Sequence, residues 1–127
     1  MMYIIHCGSK TMIIHRYETQ GGKDIIKEYL DKLPANEKAV GYDIMRSIER
    51  NGLRGLENMN TRQLDGKLWE IKFYDKNRFM YIVEDGNNFF IVHACKKQKE
   101  KAEKFELDKA RRRVRELEKI LGRNFLK

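Results

Sequence analysis

Proline is almost missing from this chain: Pro34 is the only one in 127 residues. There is also no internal repeat and no low-complexity linker, so residues 1–127 read as one domain. Cysteine is scarce. Cys7 and Cys95 alone do not make a disulfide framework, which fits a reducing, cytoplasmic setting. No apolar run approaches the roughly 20 residues needed to cross a bilayer, so no spanning segment is expected, and a membrane is not among the expected partners. The opening "MMYIIHCGSKTMIIHRYE" lacks the basic lead, the long apolar stretch and the small-residue cleavage site of a signal peptide. His6-Cys7 and His93-Ala94-Cys95 do not have zinc-motif spacing, so no metal is expected. With no phosphate-binding glycine loop and no Gly-x-Ser-x-Gly elbow, no cofactor is expected either.

What is abundant is positive charge, and it is unevenly placed. The net charge is +8, from 27 Lys and Arg against 19 Asp and Glu. From Lys96 to Lys127 there are 13 basic and 6 acidic residues, while residues 1–95 hold 14 and 13. A basic last quarter suits a polyanion such as nucleic acid, an acidic protein or a membrane surface. It also suits a solvated helix. The hydrophobic content of 41% is enough for one compact core.

The patterning predicts an α+β fold. "MIIHRYE" (12–18) reads as a strand, and residues 1–11 as either an extra strand or an extension. "GGKDIIKEYLDKL" carries Ile25, Ile26, Tyr29, Leu30 and Leu33 at helical spacing, and Pro34 ends it. Asn36 is expected to cap a second helix that stops at Gly52. The two would form an antiparallel helix pair. "LRGLENMNTRQLDGK" reads as a polar loop. Three strands then form a small antiparallel meander: "LWEIKFY", "RFMYIVE" and "NFFIVHAC", with turns at Asp75-Lys76-Asn77 and Asp85-Gly86-Asn87. Alternation places Trp69 in the core beside Ile71 and Phe73. A basic helix from about Ala102 closes the chain. Its apolar seam is Leu107, Ala110, Val114, Leu117 and Leu121, with Arg111, Arg112, Arg113 and Arg115 on its other faces.

The residues able to carry chemistry cluster on the meander. Lys72 lies opposite the Trp69 face, Arg78 opens the next strand, and His93 ends the third. Lys96, Lys97 and Lys99 follow at once. Antiparallel pairing across short turns brings such residues into one region. Tyr81 adds a phenol able to stack on a base or donate a proton, and Arg112 extends the charge along the helix. Converging cations and aromatics suit an RNA backbone and its bases. Each residue also has a plainer role. Arg78 would pair with Glu70 or Glu84, Tyr81 would sit in the core, and His93 would be a hydrogen-bonded sheet residue.

Taken together, "LDGKLWEIKF", "RFMYIVEDGNNFFIVHACKK" and "EKFELDKARRRVREL" resemble the RelE/HigB superfamily of bacterial toxin–antitoxin toxins, in its phage-derived HigB-like branch. The most specific pieces are Leu-Trp-Glu-Ile-Lys, an Arg-x-x-Tyr strand, a His-x-x-basic strand end, and a helix with Ala110 and Arg113. The resemblance implies a RelE-like fold: a small twisted sheet against an N-terminal helix pair. It also implies metal-independent endoribonuclease activity on mRNA in the ribosomal A site, inhibiting translation. The partners it implies are the ribosome, mRNA and a cognate antitoxin, expected as a helix-turn-helix protein from an adjacent gene. Lys72 takes a position usually held by Arg, Arg78 matches the strand-opening Arg, and Lys97 falls near the basic pair after the last strand. The candidate catalytic set is therefore Lys72, Arg78, Tyr81, His93 and Lys97. The candidate RNA-binding set is Lys96, Lys97, Lys99 and Arg112. Cys95 stands where the family often has Phe, and the run "KKQKEKAE" lacks the proline usual there. The alternative is a non-enzymatic RNA- or antitoxin-binding protein on a degenerate toxin fold.

Overall fold

The computed structural model describes residues 12–97 and 99–127; the expected extra strand or extension in 1–11 lies outside them. Strand β1 is Ile13–Arg16, helix α1 is Ile25–Asp31 and helix α2 is Ala35–Asn51. A 3₁₀ turn, Gly52–Leu56, leads to β2 (Asn60–Asp65). Then come β3 (Leu68–Phe73), β4 (Asn77–Glu84), β5 (Asn88–Lys96) and helix α3 (Glu100–Leu121). The strands form one sheet in the order β1-β5-β4-β3-β2. The α+β class and the meander are as expected, with two extensions. β1 runs parallel to β5, so the sheet is mixed. The expected polar loop supplies β2, antiparallel to β3.

Helix ends follow local chemistry. Asp24 caps α1 by accepting the Lys27 amide at 3.0 Å. α2 starts two residues earlier than expected, with Pro34 rather than Asn36 at the cap position. Asn36 lies inside the helix, and its side chain donates to the Tyr74 hydroxyl instead. Gly52 stops α2 with φ of 63°, a left-handed value that costs glycine little. α1 and α2 meet closely at Gly41, where an added Cβ would lie 2.4 Å from Leu30 Cδ2.

The sheet separates two cores. On one face the helix pair packs Ile26, Leu30, Ile44 and Ile48 against Ile71, Phe73, Phe79, Tyr81, Phe89 and Ile91. On the other, α3 lays Ala110 and Val114 over Leu68, Met80, Ile82, Val92 and Cys95. α3 begins at Glu100, and its apolar seam packs back on the sheet as expected. The β4–β5 register slips by one residue between Met80 and Tyr81. Tyr81 pairs with Ile91 and Met80 with His93, so Val92 is an extra residue, a β-bulge. The slip turns His93 and Cys95 toward α3, although Phe89 and Ile91 face the helix pair.

Trp69 corrects one expectation. It shares a face with Ile71 and Phe73, which are 0% and 5% exposed, but it is itself 37% exposed. The helix pair does not reach that far along the strand. The indole lines an open apolar groove with Leu53, Leu56, Tyr81 and Val83. Trp69→Ala is therefore expected to cost only ~1–2 kcal/mol, against ~3 kcal/mol or more for Ile71→Ala. Urea denaturation of the two variants checks the order, and equal losses would place Trp69 in the core after all.

Candidate nucleic-acid interface

The α3 face of the sheet is where the polar chemistry gathers. Cross-strand register sets Asn60, Lys72, Arg78 and Cys95 in one row over four strands. The next row holds Arg62, Glu70, Met80 and His93. These side chains share a face because alternate residues of a strand do.

Arg78 is the centre of the cluster and is only 1% exposed. Its Nη1 donates to Glu70 at 2.8 Å and to Glu103 of α3 at 2.7 Å. Its Nη2 lies 3.6 Å from Cys95 Sγ. Burial works against its charge, but Cys95, Glu70 and Glu103 outweigh burial and hold its pKa above the ordinary arginine value. Its Nε is buried without a hydrogen-bond partner. Arg62 closes the network, with Nε 3.1 Å from Glu70. Two guanidiniums thus face two carboxylates. The plainer role expected for Arg78, a pair with Glu70, is present, and a second anion from α3 joins it.

His93 sits deeper along the same face, 5% exposed. Arg113 Nη1 is 2.8 Å from its Nδ1 and also donates to the Val92 carbonyl at 3.0 Å. A guanidinium can only donate, so Nδ1 accepts and the ring proton rests on Nε2. That nitrogen meets Glu106 at 3.2 Å. The ring is neutral: burial lowers its pKa to about 4, Glu106 opposes the shift and Arg113 reinforces it. Arg113 was expected on an outer face of α3. Instead it points inward, with its guanidinium carbon 4.6 Å from the Tyr17 ring centre.

His93, Cys95 and Glu106 offer ligand atoms all within 4.8 Å of one another. The donors around them do not suit a cation. Arg113 holds Nδ1, so the free nitrogen is protonated, and Arg78 lies against the sulfur. Burial pushes the Cys95 thiol up to about 11, away from the thiolate a metal needs.

The remaining candidates spread out. Tyr81 is on the opposite face, 3% exposed, stacked on Phe89 with ring centres 4.4 Å apart. Burial raises its pKa to about 12. The structure therefore does not bring it to the Arg78–His93 cluster. Lys96 pairs with Asn77, which also turns it to the helix-pair face. Lys97 is exposed, and its amide donates to the Lys76 carbonyl at 2.7 Å. Lys99 occupies the position before α3 without a side-chain capping bond. Lys97, Lys99, Lys101 and Lys104 line an open groove with Arg62, beside half-buried Lys72 in the next row. Among the described residues, Lys72, Lys97 and Lys99 form no ion pair. Arg112 stands apart, exposed on α3. The sequence reading missed the acids that close the site, Glu103 and Glu106. The signal was their position beside Leu107 and Ala110 on the inner face of α3.

The neutral, buried His93 ties stability to pH. Its folded pKa lies below the unfolded value near 6.5, so the unfolded chain binds the proton more tightly. Stability from this group is full above about pH 6.5 and falls as the pH drops toward 4. The loss is on the order of 2–3 kcal/mol across that window. His93→Gln keeps a donor for Glu106 and should flatten the profile. Thermal melts of both proteins from pH 7 to pH 4 check this, and parallel profiles would dismiss His93 as the source.

A search of curated proteins finds no match. Among protein families, the one described as "Phage derived protein Gp49-like (DUF891)" matches residues 28–115. The match begins within α1, takes in the meander with its Arg78 and His93 clusters, and runs to Arg115 of α3. No helix among the described residues is long and apolar enough to cross a membrane. By its sequence, the chain belongs to the phage-derived Gp49-like family, a family associated with the toxins of toxin–antitoxin systems.

Proposed function

We propose that this protein is the toxin of a type II toxin–antitoxin pair, of the HigB-like branch of the RelE superfamily. In this reading it cleaves mRNA on the ribosome without a metal, in the cytoplasm, and a helix-turn-helix antitoxin from an adjacent gene restrains it. The observation that carries the reading is the set of lysines that form no ion pair among the described residues, Lys72, Lys97 and Lys99, beside the Arg78 row in a Gp49-like chain.

The chemistry asked of the site is attack of a ribose 2′-OH on the adjacent phosphate. Positive charge must meet the developing phosphorane, and protons must leave the 2′-OH and reach the departing oxygen. Arg78 is matched by two carboxylates, His93 lies behind Glu106 and Arg113, and Tyr81 is on the other face. Lys72 and Lys97 are then the groups open to RNA, both to hold phosphate charge and to move protons. The ribosome supplies the alignment that a site without a free-standing acid–base pair lacks.

A second reading draws on the burial of Arg78 at 1% exposure. With that charge neutralised inside the protein, the module would serve only for contact with RNA or an antitoxin. Induction in a bacterial host separates the two. Lys72→Ala with Lys97→Ala is expected to relieve growth arrest and to slow ribosome-dependent cleavage at least tenfold, with a stability change within ~0.5 kcal/mol. Full toxicity in that variant would move the site elsewhere. A wild type that binds ribosomes without cutting would leave the contact module standing.

A further inference from the structure

α3 sorts its charges by side. Most of its carboxylates are turned inward or consumed locally, Glu100 in the exposed first turn being the exception. Glu103 holds Arg78 and Glu106 holds His93. Asp108 pairs with Arg111, Glu116 accepts from Tyr17, and Glu118 accepts the amides of Phe125 and Leu126. The inward bases are consumed too: Arg111 by Asp65, and Arg113 by His93 and the Val92 carbonyl. What remains is Lys101, Lys104, Arg112, Arg115 and Lys119, all exposed and, among the described residues, in no ion pair.

These five are not scattered. At about 100° per residue they fall within roughly 80° of one another, on the side of the helix away from Ala110 and Val114. At 1.5 Å per residue the stripe runs about 27 Å. Asp108 is the one acid in the same sector, and Arg111 neutralises it. Beside the stripe stands Phe105, 59% exposed, with the Lys109 ammonium 5.3 Å from its ring centre.

We propose that the outer stripe of α3 is a second RNA contact, gripping the phosphates of a folded RNA helix while Phe105 lies against an unpaired base at one end. At Lys101 and Lys104 it adjoins the groove at the lysine end of the sheet, and Arg112, Arg115 and Lys119 carry it beyond that groove. A membrane surface fits less well, because the apolar face of α3 is already spent on the sheet and the outer face offers only Phe105 and Ile120 as large apolar side chains. An acidic protein would be met by the same charges but would give the exposed aromatic ring no base to stack on. The assignment goes beyond the toxin reading and does not need cleavage to occur.

The test uses the full chain and a fluorescent RNA stem-loop of unrelated sequence, with affinity followed by anisotropy from 50 to 300 mM KCl. The variant replaces Lys101, Lys104, Arg112, Arg115 and Lys119 with Gln, which has nearly the same helix propensity. Each phosphate contact contributes about 0.7–0.9 to the slope of log K against log salt. The variant should therefore lose about 3.5–4.5 units of slope and at least tenfold in affinity at 50 mM KCl. Circular dichroism confirms that it folds. Arg112→Lys with Arg115→Lys keeps the charge and should keep the slope. Phe105→Ala should weaken binding to the loop without altering the slope. An unchanged slope in the five-site variant overturns the proposal. So does equal, stripe-dependent binding of the wild type to polyglutamate or to phosphatidylserine vesicles. Failure of the toxin reading would look different: the stripe variant would lose RNA affinity while the wild type cut nothing.

Discussion

Arg78 carries a full positive charge into a part of the molecule that water barely reaches, where an unpaired guanidinium would be prohibitive. Glu70 comes from the neighbouring strand and would be present in the sheet alone. Glu103 comes from α3. The helix is therefore held by more than its apolar seam, since leaving would strip the guanidinium of one of its two anions. Apolar contacts slide at little cost, but a charge-assisted hydrogen bond has a distance and a direction. The pair Glu103–Arg78 thereby sets the position of α3 along the sheet.

A second pin lies further along the same helix. The bulge at Val92 leaves a carbonyl out of the regular β4–β5 ladder, and one nitrogen of Arg113 takes that carbonyl and the adjacent imidazole together. An irregularity in the sheet thus becomes a notch that only a donor from α3 fills. With the ends of its inner face fixed in this way, α3 cannot rotate, and its outer residues are held at fixed angles to the sheet. The arrangement explains how so basic a helix can have so acidic an underside.

Much of this was legible in the sequence where periodicity and turn chemistry agree. The meander announced itself through the alternation of Leu68–Phe73, the apolar run within Asn77–Glu84 and the turn chemistry of Asp75-Lys76-Asn77 and Asp85-Gly86-Asn87, where Asp75, Asp85 and Gly86 take positive φ. β2 escaped notice because "NTRQLD" is an edge strand with exposed or half-buried side chains, so it has no apolar alternation to display. Trp69 had the right face but the wrong burial, since the length of a covering helix pair is not written in the strand it covers. The candidate site was legible as a list of cations on one region of sheet, and Lys72, Arg78 and His93 do share a face. Its closure was not legible, because it depends on Glu103 and Glu106 meeting strands that lie earlier in the chain. Tyr81 lies one residue before Ile82 and so faces the other core, which simple alternation from Arg78 already implied.

The parallel pairing of β1 with β5 sets an order of events in the making of the molecule. Among the described residues, β1's strand partner lies at the far end of the sheet sequence: His15 meets the Asn88 side chain across 73 residues. The meander closes through short hairpins and can form as its own residues emerge, whereas β1 must wait for β5. Until then the growing meander presents β5 as a bare edge. The residue pairs that finish the described sheet are thus the ones with the largest loop to close, and β1, made before the meander, is sheltered after it.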